Sequence, residues 1–424
     1  MTKLYLGLVL TVLAVTAAQC GPLAFLESPT PVPPVVLTYL TFSDQGTVND
    51  AEELLIEQFE AGHPNITVSR TEYAQSPQAY LTASPPPDIM LTIADYNTFA
   101  AIDDGLVLDI STMWSDANLA AAYPASLRAF GERQGRQYFL PVGQTWTAFY
   151  YNRQLFEANG LAEPTTWNEL LDVAETLWLS GVTPFALTAN DGWALSMWFE
   201  YLVLRLHGPE FYQQLIAGEI PYTDFRVREV FELWRDLLER GYFGESSFTT
   251  STLRAVNEMS RGQAAMVLVS PVLITDLPAA SREQLDLFPF PVINPDLARA
   301  ESAAIFGYLI PARSQHPAEA IQFFQYMTSA DVQVAFFEQL SGQVGVVPAH
   351  QAADPSQFDP EASKGLALLR QADTVTRPFI FSVPEASTGQ TLILALRQFI
   401  RNPDEVDSAL ESLEQARQEA NDER

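Results

Sequence analysis

The chain of 424 residues contains one cysteine, Cys20, so no internal disulfide can form. Its four histidines (His63, His207, His316, His350) lie far apart and share no ligand spacing, which argues against a dedicated zinc site. His63 and His316 each precede a proline at an expected element boundary. Lysine is nearly missing, being confined to Lys3 and Lys364. Lys and Arg number 23 against 52 Asp and Glu, for a net charge of −29. A nucleic-acid site needs a cationic patch that displaces counterions, so this class of partner is excluded and polyanionic substrates are disfavoured. Neutral and cationic solutes remain, and the acidity also favours solubility. The chain has no G-x-x-x-x-G-K-[ST] loop and no G-x-S-x-G turn, which removes the usual signatures of ATP hydrolysis and of a serine hydrolase. Past the N-terminal leader no run of 18 apolar residues occurs.

The leader itself reads MTKLYLGLVLTVLAVTAAQC. A positive start at Lys3, an apolar stretch Leu4–Ala18 and small residues before Cys20 have the layout of a signal peptide, expected over residues 1–19. Cys20 then looks like a lipid-attachment site, although Gln19 stands where that pattern usually has Gly, Ala or Ser. Cleavage after Ala18, leaving a free thiol near the new N-terminus, is the alternative. Residues 20–34 carry five prolines in GPLAFLESPTPVPP and no periodicity, as expected of an extended tether.

Apolar residues make up 47% of the chain, with 26 Phe, 15 Tyr and 7 Trp, enough for a large core. Val35–Phe42 reads as a buried strand, followed by a helix to about Ala61 that Gly62 and Pro64 end. Ile66–Tyr73 and Asp88–Ile93 are further strands, and helices are expected over Asp95–Asp104 and Asn118–Phe130. Gln137–Leu140 and Ala148–Tyr151 are strands around Pro141-Val142-Gly143. Thr166 and Glu169 form the capping box of a helix Trp167–Trp178. Helices over Leu195–His207, Pro209–Ala217 and Val227–Arg240 follow the short strand Pro184–Thr188. Ala264–Val269, Leu287–Ile293 and Ala304–Ile310 are strands, and the remainder is helical. Alternating strands and helices predict an α/β architecture with mainly parallel sheets.

Several segments in order resemble the sugar-binding solute-binding proteins of ABC importers, the family that includes maltose-binding protein. They are VVLTYLTF, LLIEQFEAGHPNITV, PPDIMLTIADYNTFAAIDDGLVLDI, GRQYFLPVGQTWTAFYYNRQLFEANGLAEPTTWNELL, GVTPFALTANDGWALSMW, RGQAAMVL and IFGYLIPARSQHPAEAIQFFQYMTSADVQ. The resemblance implies an α/β, two-lobed periplasmic-binding-protein type II (Venus-flytrap) fold with a hinge and a central cleft. Residues 35–144 plus 302–330 would form lobe 1, and 145–301 plus 331–424 lobe 2. Crossings are expected near Gln144–Thr145, Ala300–Ala303 and Thr328–Val332.

The implied function is capture of a neutral carbohydrate and its delivery to transmembrane permease subunits served by a separate ATPase. The chain would be a monomer outside the cytoplasm, held at the membrane by lipidated Cys20, with no cofactor and no catalysis. An exported carbohydrate-active hydrolase, with Asp95 and Asp191 as a carboxylate pair, and a tethered chemosensory sugar receptor are the alternatives.

A sugar site needs aromatic plates and directional acceptors and donors at the loop ends of strands. Asp44 and Gln45 follow the first strand and are equally suited to a turn before Gly46. Asp95 matches a family position for a hydroxyl-binding carboxylate and also suits the N-cap of the next helix, beside Tyr96. Gln144 and Trp146 lie at the first crossing, where Trp146 is a stacking plate by family position or else core. Asp191 and Trp193, in NDGW, are the second-lobe candidates, with Trp198 assigned to core. Phe306 and Gly307 in the return strand complete the set, and Tyr308 and Gln390 are weaker. One departure stands out: the family often carries a stacking Trp after the AAMVL strand, where this chain has Ser270-Pro271-Val272.

Overall fold

The computed structural model of the protein describes residues 33–42, 46–187, 192–244, 251–340, 345–384 and 389–422. The leader, the tether and Cys20 lie outside the described residues, as do Asp44, Gln45 and Asp191. In chain order the strands are β1 (Val35–Thr41), β2 (Ile66–Glu72), β3 (Ile89–Ile93), β4 (Glu132–Arg133), β5 (Arg136–Gln137), β6 (Leu140–Gln144) and β7 (Ala148–Asn152). They continue as β8 (Thr183–Ala186), β9 (Ala264–Val269), β10 (Leu285–Phe288), β11 (Ala300–Ser302), β12 (Ile305–Leu309), β13 (Val347–Pro348) and β14 (Thr374–Thr376). Two sheets dominate: β13-β6-β12-β3-β1-β2 and β10-β7-β9-β8. The central strand β9, AAMVLV, is buried along its whole length, as a near-continuous apolar run requires when both faces are covered.

The sheets are mixed, not mainly parallel. β1 runs parallel to β2 and β3, but β12 is antiparallel to both β3 and β6, and β7 is antiparallel to β9 and β10. The cause is topological: β12 returns from the second sheet and inserts between β3 and β6 in the opposite sense.

Local signals hold where they rest on side-chain chemistry. Thr166 Oγ1 accepts from the Glu169 amide (3.3 Å) and Glu169 Oε2 accepts from the Thr166 amide (3.0 Å), capping the helix Trp167–Leu179. The helix Gly192–Ile216 breaks at Gly208, whose φ of 82° puts it in the left-handed region just ahead of Pro209. The helix expected over Asn118–Phe130 is instead two short pieces, Leu119–Ala121 and Ala125–Ala129. Pro124 separates them, and a proline restrains the residue before it from helical geometry.

The chain runs from the first sheet to the second between β6 and β7 and returns between β11 and β12. The helix Ala330–Leu340 buries Phe336 and Phe337 in the core of the first sheet, and β13 pairs with β6. Gly143 makes this possible, since a Cβ there would lie 2.7 Å from the Phe337 ring. Further on, the helix Pro360–Gln371 packs against both β13 and β10, and β14 pairs with β11.

β11 and β14 form a parallel pair beside a buried charge cluster. Glu301 on β11 is fully buried, and its Oε1 accepts from Arg205 Nη2 (2.8 Å) and Arg299 Nε (2.9 Å). Tyr201 places its hydroxyl 3.0 Å from both Glu301 Oε2 and the Thr147 carbonyl, and it accepts from the Ser302 amide at 3.2 Å. Both early crossings are thereby pinned to one helix, Gly192–Ile216.

Candidate functional site

A cavity of about 310 Å³ opens between the two sheets. Ile93 at the end of β3 and Phe306 on β12 line it from the first sheet, with Thr145, Thr147 and Ala304 at the crossings. Ser270, Val272 and Leu273, immediately after β9, face it from the second sheet. The first turns of the helix Gly192–Ile216 contribute Trp193, Ser196, Met197 and Glu200, whose spacing of three, one and three puts them on one helical face. The turn Pro378–Phe381 closes the rim.

Trp193 is 43% exposed and meets Phe381 edge to face, with ring centroids 5.0 Å apart. An exposed indole beside an apolar cavity matches the geometry of a stacking plate. Glu200 is 1% exposed at the base. Its Oε2 accepts from the Phe379 amide at 2.7 Å, while its Oε1 has no hydrogen-bond partner among the described residues. Burial pushes the carboxyl up to about 7, against the pull of the Phe379 amide and the Ser302 and Tyr212 hydroxyls. Two of the four hydroxyls on the wall are engaged: Thr145 Oγ1 accepts from the Ala304 amide, and Ser196 Oγ donates to the Trp193 carbonyl; Thr147 and Ser270 supply the other two.

Of the residues expected from sequence, Trp193 and Phe306 line this cavity. Asp95 does not. It caps the helix Tyr96–Asp103 by accepting from the Thr98 amide at 2.8 Å, and burial raises its pKa. Tyr96 is the half-buried first residue of that helix and also lies off the cavity wall. Gln144 is buried and donates through Nε2 to the Pro348 carbonyl at 3.1 Å, holding β13 to β6.

Trp146 is not a plate in this conformation. It is 1% exposed, donates to the Tyr150 hydroxyl at 3.1 Å, and packs so tightly on Gly365 that a Cβ there would lie 2.4 Å from the indole. Gly307 supplies a close backbone approach instead of a ligand contact, because a Cβ would lie 2.2 Å from the Leu140 carbonyl oxygen. Tyr308 is core at 1% exposure, and so is Trp198, also at 1%.

Sequence reasoning missed Glu200, Met197 and Phe381. The signal for the first two was the helical spacing from Trp193. It missed Arg377 as well, which stacks on the Phe99 ring from 4.2 Å, opposite Arg133 at the same distance. Burial and the nearby Arg133 bring the Arg377 guanidinium down to about 10.

Comparison with known proteins agrees with this architecture. The bacterial solute receptor AcbH, described as exclusively preferring β-D-galactopyranose, superposes with a TM-score of 0.81 at 21% identity, over 90% of this chain and 97% of its own. A chitin oligosaccharide binding protein gives 0.75 at 21% identity, over 92% and 99%. These likenesses establish the two-lobed solute-receptor fold. An uncharacterized ABC transporter extracellular-binding protein of Pyrococcus horikoshii is 24% identical over 356 residues, 80% of this chain and 78% of its own. The multiple sugar-binding protein of Streptococcus mutans is 23% identical over 222 residues, 49% of this chain and 51% of its own. The sequence profile of bacterial extracellular solute-binding proteins matches residues 45–334. With well over half its length matched, this chain belongs to the bacterial extracellular solute-binding protein family.

Proposed function

We propose that this protein captures a neutral carbohydrate in the cleft between its sheets and hands it, unaltered, to the permease of an ABC importer. The observation that carries the reading is the cavity itself. An exposed indole, Trp193, faces a space bordered by both sheets and both early crossings. A ligand there touches both lobes at once, and only a ligand that binds two arrangements differently shifts their populations. The sugar-binding relatives support the ligand class, and the absence of Lys or Arg from the cavity wall among the described residues fits a neutral solute.

The competing hydrolase reading predicts turnover. Incubation with labelled mono- and oligosaccharides separates the two. The protein is expected to retain a sugar unchanged and to melt at a higher temperature with it bound; appearance of cleaved product ends the binding-protein reading.

The proposal extends to the anchor, on the strength of the leader's layout and the Pro-rich segment after it. Among the described residues no helix is long and apolar enough to cross a membrane. Cys20 lipidation would keep the trap near its permease. The Cys20→Ser variant is expected to leave the membrane fraction, and equal partitioning of variant and wild type overturns the anchor.

A further inference from the structure

The composition of the cleft wall narrows the ligand beyond "a carbohydrate", an inference that rests on the sugar-binding reading above. A sugar ring buried in a cleft needs a partner for every hydroxyl it turns inward, because an unpaired buried hydroxyl costs about 1–3 kcal/mol. The wall is mostly apolar on both sides, with Ile93 and Phe306 from one sheet, Val272 and Leu273 after β9 and Met197 on the helix, interrupted by the hydroxyls of Thr145, Thr147, Ser196 and Ser270. Against this surface one buried carboxyl oxygen, Glu200 Oε1, makes no hydrogen bond among the described residues, and the Ser302 hydroxyl that pulls on the same carboxyl is likewise unpaired, while the Tyr212 hydroxyl donates to the Arg377 carbonyl. The volume, about 310 Å³, is at the small end for ligand pockets, which are roughly 300–1,000 Å³.

We propose that the cleft selects a single sugar ring bearing an apolar substituent, such as a 6-deoxyhexose or an alkyl or aryl glycoside, with one ligand hydroxyl donating to Glu200 Oε1. The apolar substituent lies on the aliphatic wall, and the ring's C–H face lies on Trp193. Glu200 has two jobs here. Oε2 fixes the Phe379 amide, which sets the turn carrying Phe381 against Trp193, and Oε1 reads the ligand.

A pH signature follows. The empty site holds Glu200 as an acid with a pKa near 7. A hydroxyl donor bonds the carboxylate more strongly than the neutral acid, so the bound state has the lower pKa. Affinity is then weakest on the acid side, rises with pH and levels off once the empty site is ionised, above about 7. The charged and titratable neighbours do not reproduce this profile. Tyr201 and Tyr212, on the same helix, are held well above the range by burial, Glu301 is paired with Arg205 and Arg299, and the Arg377 guanidinium stays charged.

The test is calorimetric titration of the intact protein with matched pairs: D-galactose against 6-deoxy-D-galactose, D-glucose against 6-deoxy-D-glucose, and each parent against its methyl and phenyl glycosides, with maltotriose as the long hydroxylated control. At least one apolar member is expected to bind about tenfold more tightly than its parent. The Glu200→Gln variant keeps the Phe379 contact through its amide oxygen. It is expected to lose about tenfold or more in affinity for that ligand and to flatten the pH profile. Equal or tighter binding of the parents or of maltotriose overturns this proposal while leaving the sugar-binding reading intact. Wild-type affinity and pH profile in Glu200→Gln remove Glu200 from recognition. Failure of every sugar to bind overturns both readings.

Discussion

Replacing Glu301 with alanine lowers the stability of the folded chain by about 3–5 kcal/mol. The carboxylate is fully buried and joins Arg205, Arg299 and Tyr201. Its removal strands the Arg205 guanidinium, itself 5% exposed, with only the Phe290 and Ala300 carbonyls. A buried cation without its counter-ion is the costly arrangement; the intact pair is not necessarily worth much beyond a well-packed apolar alternative. The double variant Arg205→Met with Glu301→Leu is therefore expected to be more stable than Glu301→Ala, because no charge is left uncompensated. Denaturant titration of the three proteins measures both effects. A Glu301→Ala loss below about 1 kcal/mol, the scale of an exposed ion pair, contradicts the assignment.

The same cluster explains a functional constraint. Tyr201, Arg205 and Glu200 lie on one helix that also presents Trp193 to the cleft. Glu301 and Ser302 begin the return crossing, and the Thr147 carbonyl ends the first. One helix thus carries both the buried cluster beside the crossings and one wall of the cavity, so damage to the cluster is expected to reach the site.

How much of this was legible beforehand depends on the kind of signal. The Thr166/Glu169 box, the β9 run and the Gly208-Pro209 break are local chemistry, and each shaped its element as read. Whether a helix packs on the first or the second sheet is not local. The periodicity of Asp331–Gln339 marks a helix but cannot tell which sheet buries Phe336 and Phe337; the notch at Gly143 decides that, and it lies almost two hundred residues away in the chain. The site divides in the same manner. That Trp193 is partly exposed on the cavity wall could be read ahead, because an indole beside Asp-Gly at a helix start has no obvious core role. Trp146 was not readable, since a plate and a plug at a crossing look alike until Gly365 is seen against the indole. Glu200 was hidden because a glutamate in a helix is ordinarily a solvated residue, and only the fold shows it to be buried beneath a cavity.

Trp193 tests the central claim, that the cleft binds a sugar, most directly. Its indole is 43% exposed, and the covered part meets Phe381 edge to face. The Trp193→Ala variant without ligand is expected to lose about 1–2 kcal/mol of stability and to stay folded, well short of the cost of emptying a core tryptophan site. With ligand, the exposed 43% of the plate is covered, and this further burial with the contacts to the sugar contributes about 1.5–2.5 kcal/mol. The expected loss of affinity is about tenfold to a hundredfold. The measurement is a calorimetric titration of wild type and Trp193→Ala with the sugar that raises the wild-type melting temperature most, alongside the melting curves of both empty proteins. Loss of binding with a cooperative empty-state melt lowered by only a few degrees is the predicted result. Undiminished binding, or a collapse of the empty protein's stability, would show that Trp193 is not the ligand's plate and that this cleft is not where the sugar is held.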